Sequence, residues 1–100
     1  MLIVTGTIQI DPADVERARA AAQVMMRETW KEDGCHVYEF SQVIGDETRF
    51  RIYEEWSDQA ALDAHFATPH MAAFRTELSR IKVVSRELAK IQARSREPLG

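Results

Sequence analysis

Apolar periodicity along this chain switches between two residues and about 3.6, and the order of the switches restricts the fold more than any other feature. Residues 2–10, LIVTGTIQI, are β-branched and short, as a strand should be. Alternation puts Leu2, Val4, Gly6, Ile8 and Ile10 on one face. Asp11-Pro12 then marks a helix start: a side-chain acceptor at the cap, and a proline where no backbone N–H is required. Val15, Ala18, Ala22, Met25, Met26 and Thr29 recur at three and four, which predicts one buried helix face, with Gly34 as the stop. Residues 35–43, CHVYEFSQV, and 49–56, RFRIYEEW, read as strands joined by a hairpin over 43–49, with Gly45-Asp46 as the turn signal. Ser57 is expected to cap a short helix over 58–67, with Asp58 in its first turn. Thr68-Pro69 repeats the cap-then-proline device, and Met71, Phe74, Leu78 and Ile81 form the apolar stripe of the helix that follows. Residues 83–92, VVSRELAKIQ, read as a last strand.

This β-α-β-β-α-β order predicts an α+β, ferredoxin-like antiparallel sheet with helices on one face. One hundred residues make one domain, here 1–92, with 93–100 as a polar tail that is mobile or draped on a partner. Strand parity separates Val37 from Tyr38 and Phe40, and Tyr53 from Phe50, Ile52 and Trp56. Large side chains on both sheet faces predict a second copy packed on the helix-free face, in a symmetric homodimer. Tyr38 and Tyr53 are expected in that interface, braced by Arg49 and Arg51.

The chain has 13 lysines and arginines against 16 acidic residues, a net charge of −3. The basic residues form no stripe with interleaved aromatics, so nucleic acid is not an expected partner. Cys35 is the single cysteine, which excludes an intrachain disulfide and fits a reducing compartment; it reads as a small buried hydrophobe. The start Met1-Leu2-Ile3-Val4-Thr5 lacks the charged region of a signal peptide, and no apolar run reaches membrane-spanning length. The expectation is a cytoplasmic protein with no membrane partner. Gly6, Gly34 and Gly45 are isolated, so no phosphate cradle for a nucleotide or flavin is recognised.

His65 is the first candidate for chemistry. It falls three residues after Leu62, beside the buried stripe of the short helix. It suits a general base or a hydrogen-bond donor to a substrate oxygen; the plainer reading is a core-edge histidine satisfied by a carbonyl. His70, in the next helix's first turn, could join it at a pocket mouth, or be solvated. A metal bound by the pair is not expected, because the five-residue gap crosses a proline break and ligands on one helix face need spacings of three or four. Glu54 shares a strand face with Ile52 and Trp56, and a carboxylate on an apolar face needs a partner. It would orient His65, or pair with an arginine such as Arg75. Trp56 is an aromatic wall or simply core. Met25, Met26 and Trp30 are helix-core residues first and pocket lining second.

Gly34-Cys35-His36-Val37-Tyr38, then Tyr53-Glu54-Glu55-Trp56-Ser57-Asp58, then Ala61-Leu62-Asp63-Ala64-His65-Phe66, then His70 and Phe74, resemble the antibiotic biosynthesis monooxygenase domain family, in particular its small quinol monooxygenase type. The resemblance covers nearly the whole chain except the tail. It implies a dimeric α+β barrel with one pocket per subunit between sheet and helices. It also implies oxidation of phenols or quinols by molecular oxygen without flavin, haem or metal. By position, His65 matches the family's helix histidine, and Glu54 and Trp56 match its "E.W" strand. His65 and Glu54 are therefore the expected catalytic residues, and Trp56, His70, Phe66 and Phe74 the expected substrate contacts. Haem-degrading relatives use an asparagine on the first strand, a tryptophan on the short helix and an axial histidine on the next. Those positions fall here on Gly6, His65 and Arg75, so haem cleavage is not expected.

The implied chemistry has a physical logic. Triplet oxygen reacts slowly with closed-shell molecules, but a phenol or quinol that loses its proton becomes electron-rich enough to pass an electron to it. The protein must supply a base, hold the ring and exclude water. The expected activity is thus a cofactor-independent monooxygenase for a small aromatic quinol or phenol. The alternatives are a non-catalytic dimeric small-molecule-binding or stress-response protein of the same fold, and a proton-transfer isomerase or lyase. His65 is expected at a pocket edge, one ring nitrogen held by Glu54 or a carbonyl, with activity rising through a histidine pKa of roughly 6.5.

Overall fold

Both cap-then-proline signals start helices in the computed structural model, which describes all 100 residues. Asp11 Oδ1 accepts from the Ala13 N–H at 2.9 Å, and Thr68 Oγ1 accepts from the Met71 N–H at 3.2 Å. The first opens a 3₁₀ turn, Pro12–Asp14, that runs into α1, Val15–Thr29. The second opens α3, Pro69–Leu78. Between them α2, Gln59–Phe66, is capped by Asp58, whose Oδ1 accepts from the Ala61 N–H at 2.9 Å. The cap is thus Asp58 and not Ser57: the acid bonds the N–H three residues ahead, while the Ser57 hydroxyl contacts His36 Nε2 and the Gly34 carbonyl.

Strands β1 (Leu2–Ile10), β2 (Cys35–Val43), β3 (Asp46–Trp56) and β4 (Val83–Gln92) form one antiparallel sheet in the order β2-β3-β1-β4. This is the expected ferredoxin-like arrangement. The β2–β3 hairpin is tighter than expected, because β3 begins at Asp46 and only Ile44-Gly45 turn the chain. Gly6 belongs in β1 for a steric reason: a Cβ there would sit 1.9 Å from the Glu87 carbonyl oxygen of β4.

The pairing register settles which face each side chain takes. Leu2 opposes Trp56, Val4 opposes Glu54 and Ile8 opposes Phe50, all beneath the helices. Ile3 opposes Glu55, Thr5 opposes Tyr53 and Thr7 opposes Arg51 on the free face. The main core joins Leu2, Met25, Tyr38, Ile52, Trp56 and Leu62; a second cluster joins Ile10, Phe50 and Ile81.

Two expectations change here. Tyr38 and Phe40 lie under the helices, Tyr38 fully buried against Met25 and Trp56, so they do not form an outward interface. Trp30 follows the last turn of α1 and is exposed; its indole N–H donates to the Tyr38 carbonyl at 2.8 Å, covering part of the open edge of β2. The free face is therefore mostly polar, with Tyr53 among Thr5, Thr7, Arg49 and Arg51. The tail crosses to this face, where Arg96 meets both oxygens of Glu55. All ten residues of β4 are exposed, and its outer edge is unpaired. No helix is long and apolar enough to cross a membrane.

Candidate active site

The turn between α1 and β2 places Glu32 beside both helices of the α2–α3 segment. One oxygen, Oε2, lies 2.8 Å from His65 Nδ1 and 2.6 Å from His70 Nε2. Each of these nitrogens donates its N–H to the shared carboxylate oxygen. The break at Thr68-Pro69 makes this possible. It turns the chain between the two histidines, so a spacing unsuited to one continuous helix brings both rings to one point. Thr68 ties the corner together, donating to the His65 carbonyl at 2.8 Å while capping α3.

His65 is not at an open edge. It is 1% exposed, with the Trp56 ring 4.8 Å and the Tyr38 ring 5.4 Å from its own, centre to centre. Burial lowers its pKa, against the opposing pull of Glu32, and so favours the neutral ring. The partner that holds it is Glu32, in place of Glu54 or a carbonyl. Glu54 turns instead to its neighbour two residues on, accepting from Trp56 Nε1 at 2.8 Å. No cation pairs with Glu54; Arg75 donates to the Phe66 carbonyl. Burial pushes the Glu54 carboxyl up to about 7, so near neutrality it is partly protonated. Burial also raises the Tyr38 phenol, and the Cys35 thiol to about 11, which leaves both protonated and Cys35 unsuited to nucleophilic attack.

A cleft of about 470 Å³ runs between α1 and α3. Ala20, Ala21, Val24 and Met25 form one wall, and Ala73 and Phe74 the other. His70 lines it from the first turn of α3; Arg17 and Glu77 lie a helix-length away. Of the residues expected to meet substrate, His70 and Phe74 line this cleft. Trp56, His65 and Glu54 are buried and do not line it. Phe66 is 44% exposed and does not line it. The main cleft thus opens between helices; between sheet and helices two smaller spaces remain, one of about 130 Å³ beside Met26, Phe40 and Phe50 and one of about 30 Å³ among Ile8, Phe40 and Phe74.

Sequence reasoning missed Glu32. It lies in a polar turn, Lys31-Glu32-Asp33, with no periodicity and no spacing relation to either histidine. Only its position two residues before Gly34-Cys35 sets it apart, and that pattern points to no function on its own.

The family model described as antibiotic biosynthesis monooxygenase matches residues 1–77, through α3. Over 73 residues the chain is 33% identical to the Synechocystis protein sll1783, covering 73% of this chain and half the length of that relative. It is 28% identical over 74 residues to Bacillus subtilis YcnE, provisionally named a monooxygenase, covering 74% of this chain and 78% of the relative. A solved Deinococcus radiodurans structure, provisionally assigned as an antibiotic biosynthesis monooxygenase, superposes with a TM-score of 0.91. It covers 100% of this chain and 99% of its own at 23% identity. Mycobacterium tuberculosis Rv0793 superposes at 0.86 with 21% identity, over 97% and 98% of the two chains. At those identities the superpositions speak for the fold alone; the sequence match carries the family. The chain belongs to the antibiotic biosynthesis monooxygenase family.

Proposed function

We propose that this protein is a monooxygenase that oxidises a small aromatic quinol or phenol with molecular oxygen, the substrate lying in the α1/α3 cleft with a hydroxyl toward His70. The observation that carries this reading is Glu32 joining His65 to His70, which lines a mostly apolar cleft large enough for an aromatic substrate. His70 donates from Nε2 to Glu32, which leaves Nδ1 as the ring's proton-accepting atom. A carboxylate beside the ring stabilises the imidazolium that forms on proton transfer, and the bond from buried His65 fixes that carboxylate in place. His65 and Glu32 act as positioning residues in this scheme. The reaction needs no external reductant: a quinol plus O₂ gives a hydroxyquinone plus water, all four electrons coming from the substrate. The phenolate formed at His70 passes the first electron to oxygen, and the apolar walls limit water at the radical pair.

Oxygen uptake by the purified protein with a panel of benzo- and naphthoquinols tests the proposal. His70→Gln should slow turnover by about 10²–10⁴ while leaving the fold intact. No uptake above buffer across the panel would favour a binding protein of the same fold. Turnover that persists without oxygen would indicate a proton-transfer isomerase or lyase.

A second copy of the chain is the proposed partner of β4. A ten-residue strand with one open edge and exposed Val83, Val84, Leu88 and Ile91 is a template for pairing. Sedimentation should report about twice the chain mass, and charge at Leu88 and Ile91, as in L88K/I91K, should halve it. A parent that sediments as a monomer would overturn the homodimer.

A further inference from the structure

We propose that Glu32 Oε2, His65 Nδ1 and His70 Nε2 also form a three-ligand site for a divalent first-row transition ion of the zinc type, its remaining coordination positions turned toward the α1/α3 cleft. The three atoms lie within 4.8 Å of one another. Two imidazoles and one carboxylate are a ligand set suited to zinc, iron, cobalt and nickel, and poorly suited to calcium or magnesium. Tetrahedral metal–ligand bonds of about 2.0–2.2 Å put neighbouring ligand atoms about 3.3–3.6 Å apart. From 2.8 and 2.6 Å the carboxylate oxygen therefore has to draw back by about 0.5–1 Å from the nitrogens, while the two rings, 6.1 Å apart and inclined at 53°, turn toward each other.

The surroundings favour such a site. Glu32 has no lysine or arginine partner, its only ionic contacts being the two histidines. His65 is anchored between Tyr38 and Trp56, and Thr68 links its carbonyl to the cap of the helix that carries His70. Two of the ligands are thus pre-positioned relative to each other by one hydroxyl. The side chains of Glu32 and His70 retain 12% and 17% exposure, and His70 lines the cleft, which gives an ion a way in. The ion would replace the two N–H protons now shared with the carboxylate. Glu32 and His70 would then be occupied, and proton acceptance at His70 weakened. On the proposed function, zinc should therefore inhibit quinol oxidation; the binding itself does not depend on that reading.

Cobalt supplies a spectroscopic probe. Tag-free, chelator-stripped protein titrated with Co²⁺ should develop visible d–d bands that saturate at one ion per chain and vanish on adding Zn²⁺. Glu32→Gln and His70→Gln should each weaken binding by at least about tenfold. Cys35→Ser should leave the bands unchanged, showing that the ligands are imidazole and carboxylate and not the neighbouring thiol. His70 is the most accessible ligand, so His70→Gln decides the matter should Glu32→Gln fail to fold. Absence of saturable bands, or parent-like bands in folded His70→Gln, would overturn the site. Zinc that binds with one-to-one stoichiometry yet leaves oxygen uptake untouched would keep the site and count against His70 as the proton acceptor.

Discussion

Glu54 and Glu55 are neighbours on β3, and they show how differently the two sheet faces treat a charge. Both are buried, at 5% and 1% exposure. Glu54 points under the helices, where its bond comes from the Trp56 indole and no cation reaches it. Glu55 points to the free face, where Arg96 of the tail covers it. The inner carboxylate copes with burial by gaining a proton near neutrality; the outer one copes by finding a counter-charge. The helix-covered face is therefore a medium of low polarity in which proton positions matter, and the site is built there. The free face is mostly polar, and its buried acid is met by a charge from the tail.

Truncation should separate the two faces most strongly. Trp56→Ala removes a side chain with no solvent exposure and should cost about 3–5 kcal/mol in urea unfolding. Arg51→Ala, on the free face, should fall within about 0.5 kcal/mol of the parent. Comparable losses at both positions would show that the free face is as tightly packed in solution as the inner one.

The next largest effect is pH-dependent. The Glu54 pKa is raised from 4.5 to about 7 on folding. The folded state then binds more protons than the unfolded state between these values. The stability it contributes is complete below the lower pKa, and is lost as pH rises through the upper one. At pH 8 the ionised carboxylate should cost on the order of 3 kcal/mol. Glu54→Gln keeps an acceptor for Trp56 and cannot ionise, so it should raise the melting temperature at pH 8 by about 10 °C and change it little at pH 5. A variant that is destabilised equally at both pH values would show that Glu54 is ionised and paired in the native protein.

A smaller effect is expected at Thr29. Its hydroxyl is buried without a hydrogen-bond partner at the end of α1. Thr29→Val preserves the shape and removes the unsatisfied group, so thermal melts should show no loss, and a gain of up to about 1 kcal/mol. A clear destabilisation would mean that the hydroxyl bonds an ordered water.

Much of the fold was legible because its signals are local. Asp11-Pro12 and Thr68-Pro69 each specify a cap and a helix within two residues, and the apolar spacing of α1 and α3 identifies their inward faces. Tyr38 was misplaced for a different reason. Parity says which strand residues share a face, and it cannot say which face the helices cover. The irregularity between Cys35 and Val37 adds to the problem: Cys35 opposes Trp56 and Tyr38 opposes Glu54, so a residue is inserted and both end up under the helices. The site divides in the same way. His65, His70 and Phe74 sit on periodic elements and could be singled out, whereas Glu32 acts from a turn whose position depends on how α1 and β2 meet.

The most direct test of the account is where an aromatic ligand binds. Amide and histidine side-chain NMR spectra, recorded while a redox-inert naphthol is titrated in, would report both faces at once. Saturable shifts are expected at Val24, Ala73 and both imidazole nitrogens of His70, with Thr5, Thr7 and Ala89 on the free face unmoved. Shifts confined to the free face, with His70 silent, would contradict it.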